Sequence, residues 1–552
     1  MKQLVTSSID KLVLDQFIYL GDWCCSEFSE NKVNNIFENR VFLSKTFKEF
    51  DSIYELMLKQ LCEKLNSIHK AKKSIAYWRV IIGPWLSYFI FQVLEKYVLI
   101  ESLNQKLLCA NTVKYNYNLI NNDLESFFKN INNPYYESLI AGEIIEFSNI
   151  QNFKNSKSCN SFTNPTKKSI LRTITSNIIS FLFFWYDPKI LIKNTYLGLK
   201  SEAFIFFKLL KIPKLELLNT PLPEFEVSNR HRTSNLGFYS DKKLNLLSNL
   251  IMKHIPKSFL EGFLDLQFLY PKSWSKKPNV IFTSNAFWQN TIFAHYCAEK
   301  KLDGTKLVFG QHGGGYGISS YFFDEKHILD ISDIYINWGW KKSVKSKPLG
   351  FFLKNSINHK PTEKLLLILI NNSRNSISSE VFFDYENYLI KQKALLNKLE
   401  DRVWKSVIIR SKEYQSVNSQ KINILFSNYK FTDPIIDFYS DLRTSKLVIA
   451  TYNSTVFLQC LYLNIPVLML IHLNEYEVRD SESRLFLNLI ENKIVFFNSD
   501  ELSKHVNSIW DNVLEWWNDD DLQLVLSQYK SKMAFENKNL LKDISDLIKN
   551  LN

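Results

Sequence analysis

Five of the chain's 14 glycines fall in the stretch Gly310–Gly317, GQHGGGYG, directly after the apolar run KLVF. Glycine has no Cβ, so Gly313, Gly314 and Gly315 can adopt positive φ and bring bare N–H groups close to an anion. His312 within this turn can donate a hydrogen bond to a phosphate or carboxylate, or move a proton. A plain structural turn around a satisfied histidine fits the same residues. The stretch lacks the Gly-Lys-Ser/Thr ending of a Walker A loop and does not follow GxGxxG. A second candidate is ATYNSTVFLQCLYLN, where the apolar LVIA runs into Asn453, Ser454 and Thr455 ahead of a helical pattern. Hydroxyls and free N–H groups at a helix start suit phosphate. A simple N-cap at Asn453 or Ser454 accounts for them equally well.

Other polar residues follow apolar runs. Arg410 ends SVIIRS and Arg374 lies in INNSRNS, and either guanidinium can pair bidentately with a diphosphate or a sugar carboxylate. Asn285 and Trp288 follow NVIFTS and are candidate acceptor contacts. Nearer the start, Asp22 in GDWC is a candidate base and Arg79 in YWRVIIGPW a candidate grip on an acidic acceptor. Core-anchoring aromatics beside a paired charge explain those last two as well. The nine His show no HExxH spacing and the seven Cys no C-x-x-C pair, so no metal is expected. Asp519–Asp521 falls in a helical pattern and reads as a solvated face.

These residues need elements to hold them. From about Lys277 onward, short apolar runs ending in polar residues alternate with helical patterns: NVIFTS, KLVFG, ISDIYINWGW, then KLLLILINN, SVIIRS, KLVIAT, IPVLML and KIVFFN. Alternation of this kind predicts parallel α/β sheets. It falls into two blocks, with a linker expected within 341–363 where Pro348, Gly350 and Pro361 lie. The first ~130 residues read mainly as helix, with Gly83-Pro84 interrupting or beginning one. The polar stretch at about 150–170 reads as an exposed loop. The fold class expected is α/β: two Rossmann-like domains facing a cleft, behind a mainly helical N-terminal region. Ligands of such sheets bind outside the carboxyl ends of the strands.

Composition narrows the classes. The chain has 552 residues, with 45% hydrophobic and 14% aromatic content, which excludes a disordered or fibrous protein and predicts two or three domains. A net charge of +12 suits an anionic partner, although Lys and Asn are abundant throughout. No nucleic-acid-binding signature appears, and nucleic acid is not an expected partner. An odd cysteine count with adjacent Cys24 and Cys25 favours a reduced, cytoplasmic setting. No signal peptide is visible, and the apolar stretches from Ile81 and Ile178 are shorter than the ~20 residues that span a bilayer. A soluble or peripheral protein is expected.

LGDWC, YWRVIIGPW, QHGGGYG, INWGW and YNSTVFLQCLYLNIPVL occur in this order in a group of bacterial transferases encoded with surface-polysaccharide genes, which the chain resembles from Leu20 to about Leu470. The resemblance implies a glycosyltransferase-B architecture: residues 131–345 an acceptor-side domain, residues 346–552 a nucleotide-sugar domain with terminal helices, and residues 1–130 the helical region. It is more distantly similar to transferases of CMP-activated acidic sugars and to CDP-glycerol polymerases. That likeness implies that His312 contacts the donor phosphate or assists the leaving group, and that Ser454 and Thr455 hold phosphate. Gln459 stands where such motifs often carry an acidic residue for a ribose. The expected activity is metal-independent transfer of a sugar, with a CMP-linked acidic sugar as first candidate. The expected partners are a nucleotide-sugar donor and a glycan or lipid-linked glycan acceptor, and the expected place is the cytoplasm or, peripherally, the inner face of the cytoplasmic membrane. A CDP-glycerol-type phosphotransferase and a non-catalytic nucleotide-binding scaffold are the alternatives.

Overall fold

The computed structural model describes residues 2–10, 12, 15–103, 108–148, 153–157, 189–209, 222–271, 274–352, 356–370, 385–411, 417–453, 455–471 and 478–552. Arg374, Ser454, the apolar stretch from Ile178 and most of the polar stretch at 150–170 lie outside them.

Three parallel sheets organise the described residues. The first joins β1 (Lys2–Val5), β2 (Phe17–Tyr19), β3 (Leu108–Val113) and β4 (Phe153–Lys157) in the order β2-β1-β3-β4. It accompanies the long helices of the N-terminal region. The second joins β5 (Ile190–Lys193), β6 (Val280–Thr283), β7 (Lys306–Gly310), β8 (Ile334–Asn337) and β9 (Ser346–Pro348) in sequence order. The third contains β10 (Leu365–Ile368), β11 (Val407–Arg410), β12 (Lys430–Phe431), β13 (Leu447–Ala450), β14 (Val467–Leu470) and β15 (Val495–Phe496). Its order is β12-β11-β10-β13-β14-β15. Every residue of β6, β10, β13 and β14 is buried, as expected for strands covered on both faces.

In the third sheet the order reverses between β10 and β13, and ligands of doubly wound folds bind at the carboxyl ends beside such a switch. β9 lies inside the stretch expected to be a linker, yet pairs with β8, so the chain leaves the second sheet only after Pro348. The chain later returns. Asn279 Nδ2 donates to the Asn552 carbonyl at 2.9 Å, and the Phe535 N–H to the Trp338 carbonyl at 2.7 Å. Segments that follow the second and third sheets also meet. Ser319, after β7, forms an antiparallel bridge with Val478, after β14, and the Arg479 N–H donates to the Ile318 carbonyl at 2.9 Å. The segments that follow the carboxyl ends of β7 and β14 therefore touch.

Two long helices, Arg40–His69 and Ile75–Glu101, pack on each other, and the second packs on the helices Thr291–Leu302 and Phe323–Ile331 that flank β7. The second long helix runs straight through Gly83 and Pro84, against the break expected there. Twenty-one of its 27 residues are buried, and burial all around a helix overrides the ~3 kcal/mol that an interior proline costs. Gly83 is needed for contact: a Cβ there would stand 2.4 Å from the His327 ring. Among the described residues no helix is long and apolar enough to cross a membrane.

Candidate active site

A cavity of about 800 Å³ opens at the carboxyl ends of β5, β6 and β7. Lys193 and Asn194 come from the end of β5, Asn285 and Trp288 from the segment after β6, and His312 from the turn after β7. Tyr88 and Phe128 close it from the N-terminal helices, and Asp324 from the start of the Phe323–Ile331 helix. Three residues predicted from sequence, Asn285, Trp288 and His312, thus share one cavity.

Tyr196 joins two of them. Its ring stacks on His312 with centroids 5.7 Å apart, and its hydroxyl accepts from Asn285 Nδ2 at 2.7 Å. Both Asn194 (φ 49°) and Tyr196 (φ 64°) hold left-handed backbone, which is uncommon for residues with side chains and concentrates at functional sites. Neither appeared among the sequence candidates, nor did Asp324. The N–T–Y triplet after an apolar run was the only signal, and it follows a stretch of low pattern contrast. The Tyr88 hydroxyl donates to Asp324 Oδ2 at 3.4 Å, fixing a carboxylate on the cavity wall.

Burial pushes the His312 imidazole down to about 4, so it stands neutral around pH 7. Its Nε2 lies 3.4 Å from the Tyr316 hydroxyl, while Nδ1 is buried and makes no hydrogen bond among the described residues. A neutral imidazole accepts a proton or a hydrogen bond. Its other ring nitrogen keeps an N–H that can donate to a phosphate oxygen, without adding positive charge.

The glycine turn is held by its neighbours. Gln311 is fully buried; its Nε2 donates to the Gly313 carbonyl at 2.8 Å, and its Oε1 accepts from the Trp338 N–H at 3.1 Å and Trp340 Nε1 at 2.9 Å. QHGGGYG and INWGW are therefore two halves of one interlocked unit. Positive φ falls at Gly317 (φ +84°) rather than in the Gly313–Gly315 triplet. A Cβ at Gly317 would also meet the Trp340 indole at 2.2 Å. Gly317→Ala is expected to destabilise the protein by about 3 kcal/mol, combining the left-handed penalty with overpacking. A denaturant midpoint indistinguishable from wild type would remove that account of the turn.

Several sequence candidates have other partners. Asp22 Oδ1 pairs with Lys32 Nζ at 2.8 Å and Oδ2 accepts the Tyr385 N–H at 3.0 Å, so its carboxylate is occupied at a domain interface rather than poised as a base. Arg79 is held bidentately by Glu55 at 2.8 and 2.7 Å, with Asp330 at 3.5 Å, which neutralises it on a helix face instead of offering it to an acceptor. Arg410 ends β11 as expected, yet pairs with Asp441 and donates to the Ile436 carbonyl at 3.2 Å, so its charge is met within the protein. Gln459 is buried and donates to the Tyr439 hydroxyl at 3.2 Å. Asn453 is buried where the Tyr529 hydroxyl meets its side chain.

Thr455 opens the helix Thr455–Tyr462 directly after β13, beside the switch point. The floor of that crevice has its own network. Thr451 Oγ1 donates to the Ile368 carbonyl at 2.8 Å and lies 2.6 Å from the Tyr388 hydroxyl, which accepts the Ile370 N–H at 2.8 Å.

Two Rossmann-type parallel sheets in succession, with terminal segments crossing back to the first, define the glycosyltransferase-B fold. A family model matches residues 2–548, and the chain belongs to the LIC12162 family transferases. No curated protein sequence matches it. Solved structures similar to it include the Staphylococcus aureus MnaA–UDP co-structure, at 13% identity and a TM-score of 0.35, covering 66% of this chain and 98% of that one. WaaG, a glycosyltransferase involved in lipopolysaccharide biosynthesis, matches at 10% identity and a TM-score of 0.27, over 65% of this chain and 99% of its own. MurG of Acinetobacter baumannii matches at 10% identity and a TM-score of 0.28, over 50% and 74%.

Proposed function

We propose that this transferase moves a sugar from a nucleotide-activated donor to a hydroxyl of a glycan acceptor. The observation that carries the reading is the His312 cavity at the carboxyl ends of the second sheet, joined through Ser319 and Val478 to the switch-point sheet. The acceptor occupies the cavity, against the ring of Trp288 and the amide of Asn285, surfaces suited to a sugar's faces and hydroxyls. The nucleotide lies in the crevice between β10 and β13, with its phosphate at the start of the Thr455–Tyr462 helix, where the helix dipole favours an anion and Ser454 and Thr455 are the proposed hydroxyl donors.

In the reaction the acceptor oxygen bonds to the anomeric carbon as the bond from that carbon to the donor phosphate breaks. His312 takes the acceptor proton, and the helix N-terminus meets the charge that develops on the departing phosphate. A CMP-linked acidic sugar is the first candidate donor, a bacterial surface glycan the product, and the inner face of the cytoplasmic membrane the place of work.

The test is binding of CMP, CDP, UDP and GDP by calorimetry, followed by product analysis with the matching activated sugars. Selective cytidine-nucleotide binding and a new glycosidic bond support the full reading. Preference for UDP or GDP keeps sugar transfer and discards the CMP donor. A phosphodiester product replaces sugar transfer with phosphotransfer, and binding of none of the four overturns the donor crevice.

A further inference from the structure

The carboxylate of Asp22 lies 363 residues from its main partner in sequence and caps a helix of the other domain. The helix Tyr385–Asn397 belongs to the third sheet's domain, and the first N–H groups of any helix have no partner inside it. Asp22 Oδ2 accepts two of them, from Tyr385 at 3.0 Å and Glu386 at 3.4 Å. A carboxylate there also meets the positive end of the helix dipole. Lys32 Nζ bridges Asp22 at 2.8 Å and Glu386 at 3.0 Å, while Lys421 Nζ bonds Glu386 at 2.5 Å and the Asp22 carbonyl at 2.9 Å. Among the described residues, two acids and two bases thus close a largely buried ring across the domain boundary.

The capped turn is also the turn that builds the nucleotide crevice. The Tyr385 hydroxyl donates to the Ile370 carbonyl at 2.8 Å, and the Tyr388 hydroxyl accepts the Ile370 N–H at 2.8 Å. Tyr388 reaches Thr451 as well, so these two side chains tie the end of β10 to the end of β13. A shift of the first helical turn would move both hydroxyls together, since they sit within three residues of the cap.

We propose that Asp22 is a positioning residue of the nucleotide crevice. From the amino-terminal region it fixes the helix turn whose tyrosines hold the switch-point strands in place, so the crevice is complete only while the two domains are docked. The inference rests on the donor reading given above for its functional consequence, and on geometry alone for the positioning. It gives the GDW motif a role at the donor side, remote from the acceptor cavity.

Asp22→Ala and Asp22→Asn in the full-length protein test it, read by amide hydrogen exchange and by calorimetry with whichever of CMP, CDP, UDP or GDP wild type binds. Asn keeps an oxygen for the two N–H groups and loses the charge, so it separates capping from ion pairing. For Asp22→Ala the expectation is faster exchange at Tyr385, Glu386 and Ile370 and about tenfold weaker nucleotide binding, the equivalent of one lost cap. Asp22→Asn is expected to stay within about threefold of wild type in affinity. Faster exchange at Tyr385 and Glu386 with unchanged exchange at Ile370 and unchanged affinity would show a cap without consequence and overturn the proposal. So would unchanged exchange throughout. If wild type binds none of the four nucleotides, the donor reading fails on that result, and exchange at Ile370 still decides the positioning.

Discussion

His312→Ala is expected to slow transfer by about 10²- to 10⁴-fold, the range that a positioned acid–base group supplies, while nucleotide binding in the other domain stays intact. The split follows from placement. His312 lines the cavity after β7, and the proposed nucleotide crevice lies between β10 and β13 of the third sheet. A pH profile adds a sharper requirement. Burial holds the imidazole at about 4, so kcat/KM governed by this group should be flat through neutral pH and fall only as pH approaches 4. An acid limb near the ordinary histidine value of ~6.5 would instead mean that the catalytic group is solvated and is not His312. Stability should respond in the same direction. Because the folded value is depressed below the unfolded one, the unfolded chain binds the proton first. The contribution of the neutral ring is therefore fully present above about pH 6.5 and is lost as pH falls toward 4. His312→Gln should remove that part of the acid sensitivity. Retained transfer in His312→Ala, with correct folding and nucleotide binding, would leave the proton to another group, and Asp324 on the same wall would be next to replace.

The two Rossmann-type sheets were legible because their strands are buried on both faces and stand as uninterrupted apolar runs such as LLLI, LVIA and VLML. The cavity was legible where a strand end carries unusual chemistry, as at His312, or an aromatic beside an amide, as at Trp288 and Asn285. Partners defeated the reading elsewhere. Asp22, Arg79 and Arg410 carry the right charges for chemistry, but Lys32, Glu55 and Asp441 come from distant positions, and pairing across such separations leaves no trace in local pattern. Asn194 and Tyr196 escaped for a different reason. Left-handed backbone at a residue with a side chain is imposed by tertiary contacts, and neither residue type advertises it as glycine does. The amino-terminal sheet was hidden too: β2 has three residues, and β1 and β3 are joined across a sequence gap that holds both long helices.

Loss of the Glu325 carboxylate is expected to be the most damaging single change to the cleft. Glu325 is completely buried, and its carboxylate bonds to groups of both domains. Oε2 accepts the Gly317 N–H at 2.7 Å and so holds the one left-handed residue of the glycine turn. Oε1 pairs with Arg479 at 2.5 Å, from the domain opposite, and with Lys342 at 3.1 Å. Glu325→Ala strands a largely buried guanidinium and a buried N–H, and breaking such a pair from one side costs about 3–5 kcal/mol. Glu325→Gln keeps an oxygen for Gly317 but sets an amide N–H₂ against Arg479, so its loss should be smaller and confined to the interface. Arg479→Met in the Glu325→Gln background should then cost little more, because the shared bond is already gone and the two losses are not additive. Denaturant midpoints for the two single variants and the double variant measure this coupling. Transfer must fall with it, since His312 lies in the same turn, five residues before Gly317. A Glu325→Ala protein with wild-type midpoint and wild-type turnover would show that turn and interface each stand without the carboxylate, and the coupling between them would have to be sought at the Ser319–Val478 bridge instead.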